Sequence, residues 1–342
     1  MSRDGEPSSL LEGRGLRRTY RDGGGLFGGG GEEITAVAGV DLAVGPGEVV
    51  GLVGESGCGK STTARLLVGL EEPDAGTVLF EGRDAAGLEG EALRDYRRRV
   101  QMVFQDPFGS LNPRMTVGAA IREVLSFHGR ARGGEARARA GELLERVGLE
   151  ASDAARRPHE FSGGQRQRVG IARALAAGPD VLVADEPVSA LDVSVQARVL
   201  NLLADLREEL GLAMLFIAHD LAVVRHVADR VAVMYLGRIV ERGPSRELFA
   251  DPLHPYTRSL LAAVPRPRPG ARPARALPGE ASGEVPEGGC PFHPRCPHPE
   301  KDARCLEGVP PLERKSPGRH ARCIKVPSRA SPSAESERAG PA

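Results

Sequence analysis

Between residues 34 and 53 apolar and polar side chains first alternate and then give way to the unbroken run "VVGLV", with a "GPGE" turn at 45–48 between them. Alternation predicts a half-buried strand, and the apolar run a strand covered on both faces. A helical pattern follows over about 62–70, and "GTVLFEG" (76–82) and "VQMVF" (100–104) read as further strands. Residues 116–148 change period. "TVGAAIREVLSFHG" and "EARARAGELLERVGL" carry apolar positions at helical spacing around an Arg/Gly-rich connector, which predicts an inserted helical block. Beyond it the pattern predicts helix 165–177, strand 181–184, helix 193–210, strand 213–218, helix 221–228 and a hairpin around 231–241. That alternation calls for a parallel sheet flanked by helices. No internal repeat is visible.

Periodicity stops at 265, and more than half of the 27 prolines lie beyond that point. The expected organisation is therefore one domain over 1–264, with a helical subdomain at about 108–168, and a Pro/Cys-rich region over 265–342 whose last residues are disordered. A chain of 342 residues, 40% hydrophobic, can bury a sizeable core. Lys+Arg and Asp+Glu balance at 46 each and Trp is absent, which argues against a nucleic-acid partner. The start "MSRDGEPSSL" has no apolar signal region, and runs such as "LAMLFIA" (212–218) fall far short of the roughly 20 residues of a membrane span. The expectation is a cytoplasmic protein that reaches a membrane by docking on one that crosses it. One cysteine stands at 58 and four lie beyond 289, unlike a secreted disulfide framework.

The chemistry begins at "GESGCGKS", Gly54 to Ser61, between the strand "VVGLV" and a helical pattern. This is the G-x-x-x-x-G-K-[ST] spacing, in which loop N–H groups and a helix N-terminus converge on phosphate, Lys60 reaches the β/γ-phosphates and Ser61 can ligate Mg²⁺. "GGGLFG" (23–28) formally matches a dinucleotide fingerprint, but no strand leads into it and no helix leaves it, so it reads as a loop. "VLVADE" (181–186) places Asp185 and Glu186 at a strand end, the first suited to the Mg²⁺ shell and the second to polarising water. His219 and Gln105 end the strands "MLFIAH" and "VQMVF", at the edge where ligands gather in open α/β sheets. A second glycine-rich stretch, "FSGGQRQRV" (161–169), opens a helical pattern and suits an anion, yet holds no carboxylate, histidine or cysteine.

Taken in order, "GESGCGKS", Gln105, "FSGGQ", "VLVADEP", "SALD" and His219 resemble the ATP-binding cassette family over about residues 10–260. The resemblance implies an α/β P-loop NTPase with a RecA-like core, an antiparallel β-subdomain and a helical insert. It also implies two cassettes facing head to tail, so that Ser162, Gly163, Gly164 and Gln165 close over nucleotide held by the other cassette. On the same ground Gly54, Glu55, Ser56, Gly57, Cys58, Gly59, Lys60, Ser61 and Thr62 cradle ATP, and Tyr20 stacks on adenine. Glu186 is the general base, His219 contacts the γ-phosphate, and Asp192 signals across the dimer. Gln105, with Ser61 and Asp185, serves Mg²⁺ and links nucleotide to membrane helices. Phe161 and Val188 depart from the commoner leucine and threonine without touching phosphate chemistry.

"MVFQDPFGSLNPRMTV" (102–117), "HPYTRSLLAAVP" (254–265) and "CPFHPRCPHPEKDARC" (290–305) are similar to the ATPase subunits of dipeptide/oligopeptide importers. That implies a second ATPase as partner, similar but distinct or a copy, beneath two transmembrane permeases fed by an extracytoplasmic binding protein. Peptide is the expected cargo, with nickel or another small solute as the alternative; a soluble cassette acting on ribosomes or DNA is the reading from another class. Cys290, Cys296, Cys305 and Cys323 form no C-x-x-C pair, which weakens a zinc reading. Some importers of this kind carry a [4Fe–4S] cluster on such a tail, and four thiolates would suffice. Free thiols are the other reading.

Overall fold

The computed structural model describes residues 9–21, 33–106, 109, 111–189, 191–263 and 288–328. The glycine-rich match at 23–28 and the tail beyond 328 lie outside them. A four-stranded antiparallel sheet in the order β2-β1-β4-β5 comprises β1 (Leu11–Arg21), β2 (Glu33–Val44), β4 (Ala75–Phe80) and β5 (Arg83–Asp84). The larger sheet has eight strands in the order β11-β12-β10-β9-β3-β8-β7-β6. Its parallel part is β9 (Arg230–Tyr235), β3 (Val49–Val53), β8 (Ala213–Ala218), β7 (Val181–Asp185) and β6 (Val100–Val103). The antiparallel strands β10 (Arg238–Pro244), β12 (Arg319–Ala321) and β11 (Glu313–Ser316) extend one edge.

Every residue of β3, β7 and β8 is buried. Along β7 and β8 the side chains alternate between two cores: Val181, Val183, Leu215 and Ile217 face one, and Leu182, Ala184, Met214 and Phe216 the other. This is why these strands read as continuous apolar runs. The first core lies under the small sheet, α1 (Lys60–Leu67) and α2 (Gly90–Arg99). The second is roofed by α3 (Val117–Phe127), α4 (Gly133–Arg146), α5 (Gly163–Leu175), α6 (Val193–Leu210) and α7 (Leu221–Val227). Thr116 caps α3 by accepting the Ala119 N–H, and α3 and α4 form the expected helical block.

Several elements went unread in the sequence, and the reasons differ. β1 (LEGRGLRRTYR) has register shifts at Gly13/Leu16 and Arg18/Thr19, and these bulges break the period-2 signal. In α2 only Tyr96 is buried, so no apolar stripe marks the helix. β11 and β12 are polar strands that exist by pairing: Glu241↔Ala321 and Arg242↔His320 join β12 to β10. The described end of the Pro/Cys-rich region therefore belongs to the main sheet.

Between β10 and that region lie α8 (Ser245–Ala250) and α9 (Pro255–Ala263), with the triplet His254-Pro255-Tyr256 at the start of α9. Glu241 accepts the N–H groups of Leu253 (2.9 Å) and His254 (2.8 Å), and His254 Nδ1 accepts the Tyr256 N–H (3.1 Å). Phe292, from the cysteine-rich segment, packs edge-on against Tyr235 and Tyr256 and closes the core there. Burial drives the His254 pKa down to about 3, so the ring is neutral in the fold. Unfolding frees it to take a proton below about 6.5, so this stability is complete above that pH and is lost as pH falls toward 3. Glu241, raised by its own burial, works in the opposite sense. We expect His254→Gln to flatten the loss of stability between pH 6.5 and 5, by up to about 1.4 kcal/mol per pH unit. Denaturant melts of both proteins across that range would show parallel pH curves if the buried ring did not matter.

Candidate functional site

The parallel strands deliver the expected polar groups to one edge. β3 ends at Val53 and opens into the loop 54–59, β7 ends in Asp185 and Glu186, β8 is followed by His219, and Gln105 stands two residues past β6. Because β3, β8, β7 and β6 are adjacent and in parallel register, these groups line one carboxyl edge.

The loop turns into α1 through Gly59, at φ 105°, a conformation that favours glycine. A β-carbon there would also collide with the Ala36 carbonyl. Ser56 and Gly57 are exposed, Cys58 and Thr62 buried, and burial pushes the Cys58 thiol up to about 11, which keeps it inert. Lys60 is only 4% exposed; its Nζ donates to the carbonyls of Gly54 (2.9 Å) and Glu55 (3.0 Å) and lies 3.8 Å from Glu186 Oε1.

Ser61 Oγ donates to Asp185 Oδ1 (3.1 Å). Burial raises the Asp185 pKa, while the Ser61 bond pulls it back. Glu186 is the meeting point: its Oε2 accepts from Gln105 Nε2 at 3.2 Å and lies 3.3 Å from His219 Nδ1. Its backbone has φ 44°, an uncommon conformation for a side-chain-bearing residue. The strained backbone sits on the residue whose carboxylate faces an ammonium, an amide and an imidazole together. Such a group can orient a water against a phosphorus held by Lys60. Ser61, Asp185 and the Gln105 amide offer oxygen donors, the set that suits Mg²⁺.

Tyr20, at the end of β1, stands apart. Its hydroxyl donates to Glu71 Oε2 (2.5 Å) and the Arg18 guanidinium lies 5.2 Å from its ring centre. The second anion stretch is a capping box at the start of α5: Ser162 Oγ accepts the Gln165 N–H (3.3 Å), and Gln165 Oε1 accepts the Ser162 N–H (2.9 Å). Ser162 and Gly163 are exposed, and among the described residues no hydrogen bond joins 161–165 to 54–62. Gly164 is buried because a β-carbon would collide with Val195 in the first turn of α6. Asp192 caps that helix, accepting the Val195 N–H at 3.0 Å, and this bond lowers its pKa.

Cys290, Cys296, Cys305 and Cys323, distant in sequence, line one small cavity with Phe292 and His254. Burial pushes Cys290 up to about 11 and raises Cys296 and Cys323, with the neighbouring thiols adding to each. Among the described residues no three His, Cys, Asp or Glu side chains stand where one metal ion could be held. Sequence reasoning missed two partners of the phosphate loop. The Tyr256 hydroxyl accepts the Glu55 N–H (3.0 Å), and Arg295 grips the Glu55 carboxylate through both terminal nitrogens, at 2.8 and 3.0 Å. The triplet at 254–256 was visible, but nothing in it announces a contact 201 residues away.

A groove of about 660 Å³ runs beside β6 and α3, bordered by Leu70, Phe104 and Phe127. Phe127 is 75% exposed and Leu70 57%. No helix among the described residues is long and apolar enough to cross a membrane.

Residues 37–189 match the ABC transporter family, and residues 240–305 match the oligopeptide/dipeptide transporter C-terminal region. The chain is 48% identical over 320 residues to the oligopeptide transport ATP-binding protein AppF of Bacillus subtilis (strain 168), covering 92% of this chain and 97% of that one. It is 45% identical over 323 residues to the dipeptide transport ATP-binding protein DppF of Haemophilus influenzae, covering 94% and 98%. Among solved structures, the dimeric post-hydrolysis state of the ATP-binding cassette MJ0796 bound to ADP and Pi superposes with a TM-score of 0.61. It is 33% identical, and the match covers 69% of this chain and 99% of that one. With its nucleotide-loop geometry and both matched regions, the chain belongs to the ABC transporter family of ATPases, in the branch that carries the oligopeptide/dipeptide transporter C-terminal region.

Proposed function

We propose that this chain is the ATP-hydrolysing subunit of a peptide importer, seated on the cytoplasmic face of the membrane beneath its permeases. The observation that carries the chemistry is Glu186, set against Lys60, Gln105 and His219 at the carboxyl edge of the sheet. In this reading Lys60 leaves the loop carbonyls for the β/γ-phosphates, and Glu186 orients the water that attacks the γ-phosphorus. The bond to the bridging oxygen breaks, and ADP departs. His219 holds the γ-phosphate, and Tyr20 stacks on adenine once its ring is free to do so. Ser61 and Gln105 would hold Mg²⁺, with Asp185 behind them; when bound, the ion spreads the phosphate charge.

Ser162 to Gln165 complete the site of a second ATPase, which is either a distinct homologue or a copy. The exposure of Ser162 and Gly163, with no hydrogen bond from 161–165 to the chain's own phosphate loop among the described residues, supports this, and Asp192 lies behind them through the Gly164–Val195 contact. The groove at Phe127 takes a permease segment: the exposed side chains of Leu70, Phe104 and Phe127 border it, and Phe104 is the chain neighbour of Gln105. Peptide as cargo rests on the names of the relatives and on the matched C-terminal region, as does delivery by an extracytoplasmic binding protein.

The four tail thiols fit a [4Fe–4S] cluster better than a single ion. A cluster takes one thiolate per iron, so its ligands stand further apart than those around one metal, and all four cysteines line one cavity. That cavity, about 20 Å³, must open to admit it.

Three outcomes check these readings. Glu186→Gln is expected to keep ATP affinity while kcat falls roughly 10²- to 10⁴-fold, with a nucleotide-trapped dimer on size-exclusion chromatography; undiminished turnover removes Glu186 from its role. Phe127→Glu is expected to leave basal ATPase activity intact and abolish stimulation by permeases in proteoliposomes, and full stimulation would move the docking surface elsewhere. Protein purified without oxygen is expected to be brown and iron-loaded, with the absorbance lost in Cys296→Ser; colourless, iron-free wild type would leave the residues as thiols.

A further inference from the structure

We infer that Arg295 is a positioning residue for the nucleotide site: it neutralises and ties back the carboxylate that Glu55 places in the phosphate loop. The inference rests on the reading of 54–61 as that loop. Glu55 is the second residue of a segment whose task is to gather N–H donors around an anion, and a free carboxylate there opposes the task. All three polar parts of Glu55 are engaged. Its N–H goes to Tyr256, its carbonyl accepts from Lys60, and its carboxylate is held bidentately by Arg295. The Arg295 side chain is only 10% exposed, and the bonds to Glu55 drive its pKa upward, so the pair is charged and largely shielded from solvent. Bidentate geometry fixes direction as well as distance, which a lysine cannot do.

The support behind Arg295 is stiff. Its guanidinium lies 5.9 Å from the Tyr235 ring centre, at the end of β9, and Phe292, three residues earlier, forms a three-ring cluster with Tyr235 and Tyr256. Both groups that hold Glu55 come from the C-terminal part of the chain, 201 and 240 residues away. When Lys60 moves to a phosphate, Glu55 loses that contact and keeps the other two. Arg295 therefore holds the loop open to an anion at the moment its own lysine changes partners.

The test is nucleotide binding by the purified full-length chain, read with a fluorescent ATP analogue and Mg²⁺, alongside the ADP analogue. Arg295→Ala is expected to weaken ATP binding about ten-fold and ADP binding less, because the exposed Glu55 charge repels the more anionic ligand harder. KM should rise with little change in kcat. Glu55→Gln in the same chain should restore affinity to within about two-fold of Glu55→Gln alone, since no charge then remains to be tied back. Arg295→Lys should fall between wild type and Arg295→Ala. The inference is overturned if Arg295→Ala binds ATP as tightly as wild type, or if Glu55→Gln fails to rescue it, which would make Arg295 a mere brace of the fold. A wild-type chain that binds no nucleotide would instead sink the reading of the loop itself.

Discussion

The site is organised around one buried ammonium. Lys60 is almost wholly withdrawn from water, and a charge so placed is tolerable only when it is hydrogen-bonded and balanced. Two loop carbonyls accept from it, and the Glu186 carboxylate, 3.8 Å away, balances its charge without a direct hydrogen bond. These partners are weak enough to be exchanged for phosphate oxygens yet close enough to hold the side chain in its working position. The glycine turn into α1 and the collision a β-carbon would make at Gly59 follow from the need to bring that ammonium and those carbonyls together. So does the position of Glu186: it must be near enough to balance Lys60 and far enough to leave room for a phosphate.

The parallel sheet supplies that placement with little help from loops. Strands buried on both faces cannot slip by one residue without sending a whole apolar row into the wrong core. The register Val53↔Ala218 and Asp185↔Ile217 is therefore tightly held, and with it the spacing of the groups just beyond those residues. The glycine-rich stretch at 161–165 is tied down differently. Gly164 lets α5 approach the first turn of α6 so closely that the helices capped by Ser162 and by Asp192 touch with no room for a β-carbon between them.

Much of this was legible in the residues. The apolar runs at 49–53, 181–185 and 213–218 announced buried parallel strands because burial on both faces erases alternation. The phosphate loop, the carboxylate pair and the strand-end Gln105 and His219 were legible because their chemistry requires those residue types at a strand's carboxyl end. What escaped was whatever tertiary pairing alone creates. β11 (ERKS) and β12 (RHA) carry no strand signal, and the Arg295–Glu55 pair joins two residues whose local sequences say nothing of each other. Tyr20 shows the converse: the residue was legible, but its hydroxyl is bonded to Glu71 and its ring lies by Arg18.

The C-terminal region is therefore poorly described as an appendage. β12 covers the edge of β10, where Glu241, 1% exposed, needs its two backbone donors and the Arg319 guanidinium 3.6 Å away. Removing the strand would leave a buried carboxylate without its cation, the costly half of breaking a buried pair. Phe292 packs edge-on against both Tyr235 and Tyr256, whose rings also touch each other, and so braces the ring whose hydroxyl accepts the Glu55 N–H. Arg295 grips the same residue from the other side, and the next residue in the chain is Cys296, in the wall of the thiol cavity. The described part of the tail is thus tied to the loop 54–59 through Arg295 and to the main sheet through β12.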